Sequence, residues 1–227
     1  MRSDAKLRLT RLRALALAVT VAALPAGCNV GSPGGMTVGS GDVTSVTRSV
    51  AAFTEVSAGA GIRFELATGP QQVVITAQPN IIAITTTEVT GSRLTVETTS
   101  GYATPHGLVV KVTAPGLTRI ELSGGASASG TAGASTDLTI AMSGGARATL
   151  TGSASNLDLE ASGGALPDLA ELPATNATVD LSGGVVASVR VSGSLEGSAS
   201  GGVVLTLASQ PASSNVETSG GAVVRYP

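Results

Sequence analysis

Between Arg119 and Arg225 one short phrase returns six times. It reads Leu122-Ser123-Gly124-Gly125-Ala126, Met142-Ser143-Gly144-Gly145-Ala146 and Ala161-Ser162-Gly163-Gly164-Ala165. It comes back as Leu181-Ser182-Gly183-Gly184-Val185, Ala199-Ser200-Gly201-Gly202-Val203 and Thr218-Ser219-Gly220-Gly221-Ala222. The serines lie 20, 19, 20, 18 and 19 residues apart. A unit this short cannot bury an apolar face by itself, but a stack of such units can. The repeat therefore restricts the chain to a stacked architecture.

The residues around each phrase say what is stacked. Ile120 and Leu122 flank Glu121, Ile140 and Met142 flank Ala141, Leu159 and Ala161 flank Glu160, and Val179 and Leu181 flank Asp180. This period-two alternation marks a strand with one buried face. A second alternating run follows most glycine pairs, as in Ala146, Ala148 and Leu150, or Val203, Leu205 and Leu207. Gly- and Ser-rich corners separate the runs, and no segment holds a helical period. The sequence predicts an all-β fold: a single-stranded right-handed parallel β-helix, or β-solenoid, with rungs of about 19 residues. The small core residues suit a narrow cross-section. The glycines suit sharp corners, since glycine accepts positive φ without a steric penalty.

Ahead of the repeats the chain divides into three. Residues 1–28 read as an export signal: Arg2, Lys6, Arg8, Arg11 and Arg13 precede an apolar run from Ala14 to Leu24. That run falls short of the roughly 20 residues a spanning helix needs, and it fits a secretory signal. It ends at Leu24-Pro25-Ala26-Gly27-Cys28, with the chain's only cysteine. This resembles a bacterial lipoprotein signal, in which Cys28 would be lipidated and become the mature N-terminus. The leucine stands one position further from the cysteine than usual, where Pro25 intervenes. The alternative is ordinary cleavage near Ala26 or Gly27. Residues 29–47, rich in Gly and Ser, read as a flexible tether. Residues 48–118 read as irregular rungs that cap the solenoid, because an open end exposes unpaired strand edges. Residues 119–227 are the repeat β-helix.

The stretch Arg48 to Gly125 carries a family resemblance. Phe53 precedes the strand-like Val56-Ser57. Gly61-Ile62-Arg63-Phe64-Glu65-Leu66 follows, then Gly69 before Gln71-Gln72-Val73, then Gly91-Ser92-Arg93-Leu94-Thr95-Val96 and the Ser-Gly-Gly ladder. On these segments the chain, from about Arg48 to Tyr226, resembles the bacterial head GIN domain family of auto-transporter adhesins. The resemblance implies a parallel β-helix, export and often a lipoprotein anchor. It brings no catalytic residues.

The residues themselves offer little chemistry. The single histidine, His106, sits in the loop Thr104-Pro105-His106-Gly107; a nucleophilic site needs a base held beside a nucleophile. The repeated serines lack the Gly-x-Ser-x-Gly strand-to-helix setting of a nucleophile elbow and read as a stacked polar ladder. Calcium-binding repeats need an aspartate in register after their glycines; here Ala or Val follows each pair. Asp158, Glu160 and Asp180 could meet on neighbouring rungs, where a solvated acidic face is the expectation rather than a metal site. Neither a cofactor nor a metal is expected, and the glycine pairs lack the Lys-Ser/Thr of a phosphate loop. The leader holds five of the 13 basic residues and one of the 15 acidic ones, so the remainder has eight against 14, a net charge of −6. That balance argues against nucleic acid.

The expected function is therefore a non-enzymatic cell-envelope lipoprotein, exported and anchored to a membrane through Cys28, acting as an adhesin or surface-binding module for an unknown envelope ligand. A carbohydrate-active β-helix, binding or hydrolytic, and a purely structural envelope spacer stand as alternatives. A secreted or periplasmic soluble form is the alternative location. Self-association through the C-terminal β-helix edge is a further expectation.

Overall fold

Each Ser-Gly-Gly lies directly on the one before it. The computed structural model describes residues 35–227; the leader, Cys28 and the start of the tether lie outside the described residues. The described part is a β-solenoid. Parallel partners follow the repeat: Arg119 pairs with Thr139, Thr139 with Asp158, Asp158 with Thr178, Thr178 with Glu196 and Glu196 with Asn215. Those offsets are the serine spacings, so rung length and phrase spacing are one quantity.

The strands before the phrases stack into a front face. The strands after them stack into a back face. On the front face Arg119–Leu122 pairs with residues 139–142, which pair with 158–161. On the back face residues 127–130 pair with 147–150, and Val186–Val191 pairs through residues 186–189 with Val204–Leu207. Between the faces the chain turns at the glycine pair. From the second phrase onward, the second glycine donates its N–H to the carbonyl of the first glycine one rung earlier, as in Gly164 to Gly144 at 2.8 Å and Gly202 to Gly183 at 2.8 Å. The first glycines hold positive φ, from 68° at Gly124 to 88° at Gly201. A Cβ on Gly183 would stand 2.8 Å from the Gly163 carbonyl oxygen. Both the backbone angle and the close approach of the neighbouring rung thus require glycine there.

The alternation drives the interior. Val56, Ile120, Ile140, Leu159 and Val179 form one inward column, each essentially without solvent exposure. Burying each such side chain contributes roughly 1.5–3 kcal/mol. Phe53 and Phe64 are buried in the same core. Another corner is held by polar side chains: Asn156 donates to Asp137 Oδ1 at 2.8 Å, Asn176 donates to Asn156 Oδ1 at 3.1 Å, and Ser194 Oγ donates to Asn176 Oδ1 at 3.0 Å.

The first end departs from the simple stack in three ways. The expected tether stops earlier than residue 47. Thr44–Arg48 is a strand, antiparallel to Gln72–Ala77, and Thr37–Val38 pairs with Tyr102–Ala103. Asn80 fastens the segment between them, accepting from the Ser40 N–H and donating to the Val38 carbonyl, each at 2.8 Å. Composition suggested a linker because these residues are small and polar; their backbone groups nonetheless find partners. Second, the rungs do not stack in chain order. The strands Glu55–Ala58 and Arg63–Thr68 lie between a later rung, Arg93–Thr98 with Val109–Ala114, and the first repeat. Third, this end carries antiparallel strands and a single helical turn. Gln72–Ala77 runs antiparallel to Val109–Ala114, and Thr85–Thr90 runs antiparallel to Arg93–Thr98. The turn Pro79–Ala83 begins with a proline, which is pre-shaped for a first helical position, and buries Ile81 and Ile82.

Candidate functional site

The outward positions of the front face form columns along the stack. One runs Ser57, Glu121, Ala141, Glu160, Asp180, Ser198 and Glu217. Beside it runs the serine column, in which Ser182, Ser200 and Ser219 are register partners. The Ser143 and Ser162 N–H groups donate to the Leu122 and Met142 carbonyls, each at 2.9 Å, which places these serines one rung apart. Adjacent rungs of a sheet lie about 4.8 Å apart, so the hydroxyls repeat at that interval.

The first column has one gap. Ala141 sits where its neighbours carry Glu121 and Glu160, and its short side chain leaves a depression. The result is a groove of about 370 Å³. Arg119 and Glu121 close one end and Glu160 and Asp180 the other, while Ser123, Ser143, Ser162 and Ser182 line the side. The hydroxyls of these serines make no hydrogen bond to protein among the described residues.

The two ends differ in charge. At the first end Arg93 bridges Glu55 at 3.2 Å and Glu121 at 3.1 Å, and Arg119 Nε lies 3.9 Å from Glu121. That last distance is an ion pair but too long for a hydrogen bond. The Ser92 hydroxyl, donating at 2.7 Å, holds the Glu55 carboxyl below its ordinary 4.5; partial burial opposes this, and Arg93 adds to the lowering. At the other end Glu160 and Asp180 are register partners with no cation paired to either among the described residues. Asp180 Oδ1 accepts from the Ser198 hydroxyl at 3.1 Å.

The structure places the sequence candidates as follows. Asp158, Glu160 and Asp180 all face outward on the front face, but only Glu160 and Asp180 are adjacent; Asp158 stands beside Thr178. No group of three or more His, Cys, Asp or Glu side chains is placed to hold a metal ion among the described residues. His106 is exposed in its loop. Sequence reading missed the groove and the Arg93 bridge. The groove was visible in principle, as the one uncharged residue in the run Glu121, Ala141, Glu160, Asp180. The bridge was not, because it depends on the rung order at the first end.

Chemically the groove offers a row of hydroxyls that both donate and accept, flanked by acceptor-only carboxylates and one guanidinium. Such a surface suits a ligand rich in hydroxyl or amino groups. A hydrolytic site would ask more. Glycosidase carboxylates flank the scissile bond, and burial sets the acid apart from its partner. Glu160 and Asp180 instead stand side by side on one flat sheet, both exposed.

The profile of the family described as "Putative auto-transporter adhesin, head GIN domain" matches residues 52–211. No curated protein matches the chain. Among solved structures, a "putative adhesin" from Bacteroides fragilis superposes with a TM-score of 0.64 at 13% identity, covering 84% of this chain and 99% of that one. A second "putative adhesin", from Parabacteroides merdae, gives 0.47 at 13% identity over 85% of this chain and 99% of that one. A "putative lipid binding protein" from Parabacteroides distasonis gives 0.43 at 12% identity, again over 85% and 99%. The first likeness supports the fold; the other two are too loose to carry an argument. Among the described residues no helix is long and apolar enough to cross a membrane.

Proposed function

The chain belongs to the head GIN domain family, and we propose that it is a non-enzymatic surface-binding module of the cell envelope, using the front groove to hold a hydroxyl- or amine-bearing ligand such as a saccharide. The observation that carries this reading is the row of unpartnered serine hydroxyls beside Glu160 and Asp180, spaced by a rigid sheet. A preformed row of polar groups loses little entropy on binding. Each neutral hydrogen bond is worth about 0.5–1.5 kcal/mol net, so affinity would come from several rungs acting together. Lipidation of Cys28 would hold the solenoid at a membrane. The basic leader, its apolar run and the lone cysteine support that anchor.

The test is retention of the Cys28→Ala chain on immobilised peptidoglycan, lipopolysaccharide and mucin glycans. At least one surface should retain the protein, and Ser143→Ala with Ser162→Ala should weaken retention severalfold. Equal retention of the wild type and the double variant on every surface, or none at all, would refute the groove as the site. The anchor has a separate test: the intact mass of the mature protein should include acyl chains on Cys28, and a Cys28→Ala chain should leave the membrane fraction.

Glycan hydrolysis is a second reading, favoured by one observation, the Glu160–Asp180 adjacency. It predicts new reducing ends on incubation with the same glycans, lost in Glu160→Gln.

A further inference from the structure

The outward positions of the back face change character along the stack. The column begins with Ser127 and Arg147, then continues as Leu166, Val186, Val204 and Val223. The Val186 N–H donates to the Ala165 carbonyl, which sets Leu166 and Val186 on adjacent rungs. Four consecutive aliphatic side chains thus face away from the core, with Val186 49% and Val223 46% exposed. The glycine corners lie along one side of the strip, within which Leu166 and Val204 are half-buried. On the other side lies the column Asp168, Ser188, Thr206 and Arg225. Its ends carry opposite charges, and neither Asp168 nor Arg225 has an ion-pair partner among the described residues.

We propose that this strip is a homodimer interface, in which two copies pack back face to back face with their stacks running in opposite directions. A two-fold axis along the strands, between the Val186 and Val204 rungs, reverses the rung order and keeps each column over itself. Val186 then meets the partner's Val204, and Leu166 meets the partner's Val223. The same operation brings Asp168 over the partner's Arg225, and Arg225 over the partner's Asp168. A two-fold along the stack, with both stacks running in the same direction, would instead keep each rung over itself and exchange the two sides of the strip, so that Asp168 and the partner's Arg225 never meet. The charge pattern is therefore self-complementary in only one orientation, as an isologous interface requires. Two aligned sheets pack about 10 Å apart, a gap that one arginine and one aspartate side chain together span. The aliphatic strip supplies the apolar centre, and the charges supply the rim. In such a pair the first rungs point in opposite directions, so molecules standing on two facing surfaces could meet this way.

The experiment is sedimentation velocity of the full chain carrying Cys28→Ala, which removes lipid and disulfide as causes of association. The wild-type background should dimerise reversibly, and Val186→Lys should remain monomeric. Asp168→Arg and Arg225→Asp should each raise the dimer dissociation constant about tenfold, since each replaces attraction by like-charge contact. The combined Asp168→Arg, Arg225→Asp chain should recover the parental value. Far-UV circular dichroism checks that each chain is folded, and the charge swaps decide the matter if Val186→Lys is not. A monomer at every concentration up to roughly that of a weak transient complex, about 1 mM, overturns the proposal. So does association that survives Val186→Lys in a folded chain, as stacking through the exposed Ser213–Gly220 edge would, and so does failure of the double swap to recover.

Discussion

Glu160 and Asp180 stand opposite one another on adjacent rungs of the front face, with no cation between them among the described residues. Like charges directly opposite across a sheet are destabilising by a few tenths to about 1 kcal/mol. Glu160→Gln should therefore raise stability by about that amount in low salt. The gain should shrink as ionic strength rises, because exposed charges are screened. Urea denaturation at two salt concentrations measures both. A loss of stability on substitution would mean that the pair is held by something other than solvent.

The two glycines of one corner should differ in what they tolerate. Gly183 has φ +86°, and a Cβ there would meet the Gly163 carbonyl at 2.8 Å; at Gly184 the nearest approach is an ordinary 3.5 Å, to the same oxygen. Gly183→Ala should cost about 1–3 kcal/mol. Gly184→Ala should cost well under 1 kcal/mol, helped by a stiffer unfolded chain. Thermal melts of the two variants separate them, and equal losses would contradict the corner as described.

Tyr102 is half-buried against the first end, and burial raises its phenol above the ordinary 10.0. A group whose folded value is raised contributes stability that is whole below the unfolded value and is lost as pH climbs through the folded one. Wild type should therefore lose stability above about pH 10, relative to Tyr102→Phe. Denaturation midpoints from pH 8 to 11 test this. Parallel curves for the two proteins would refute it.

How much of this was legible in the sequence follows from what repeats and what does not. The Ser-Gly-Gly spacing specified rung length, face and corner, because each rung meets a near copy of itself. The column from Ile120 to Val179 could be read from alternation alone. The placement of Glu55–Ala58 between Arg93–Thr98 and Arg119–Leu122 could not. All three are short alternating strands with no local mark of order, and long-range packing decides which lies outermost. The strand Thr44–Arg48 was hidden for a related reason: four of its residues are exposed, so no buried side betrays it. The groove depends on the absence of a side chain at Ala141, a signal visible only once the columns are aligned.

That absence can be reversed. Ala141→Gln should fill the groove from an outward position while leaving the core untouched, with a stability change within about 0.5 kcal/mol. Retention on the responsive glycan surface should fall at least as far as in the paired serine variant. Undiminished retention with the groove filled would place binding elsewhere.

Binding without turnover in the front groove is reached directly by one measurement. The Cys28→Ala chain is incubated with each glycan, and bound protein and new reducing ends are measured in the same sample. Binding without turnover gives saturable binding to at least one glycan, no reducing ends above the protein-free control, and loss of binding in Ala141→Gln. Reducing ends that accumulate with the wild type and vanish with Glu160→Gln would contradict it and make Glu160 and Asp180 the working pair of an enzyme.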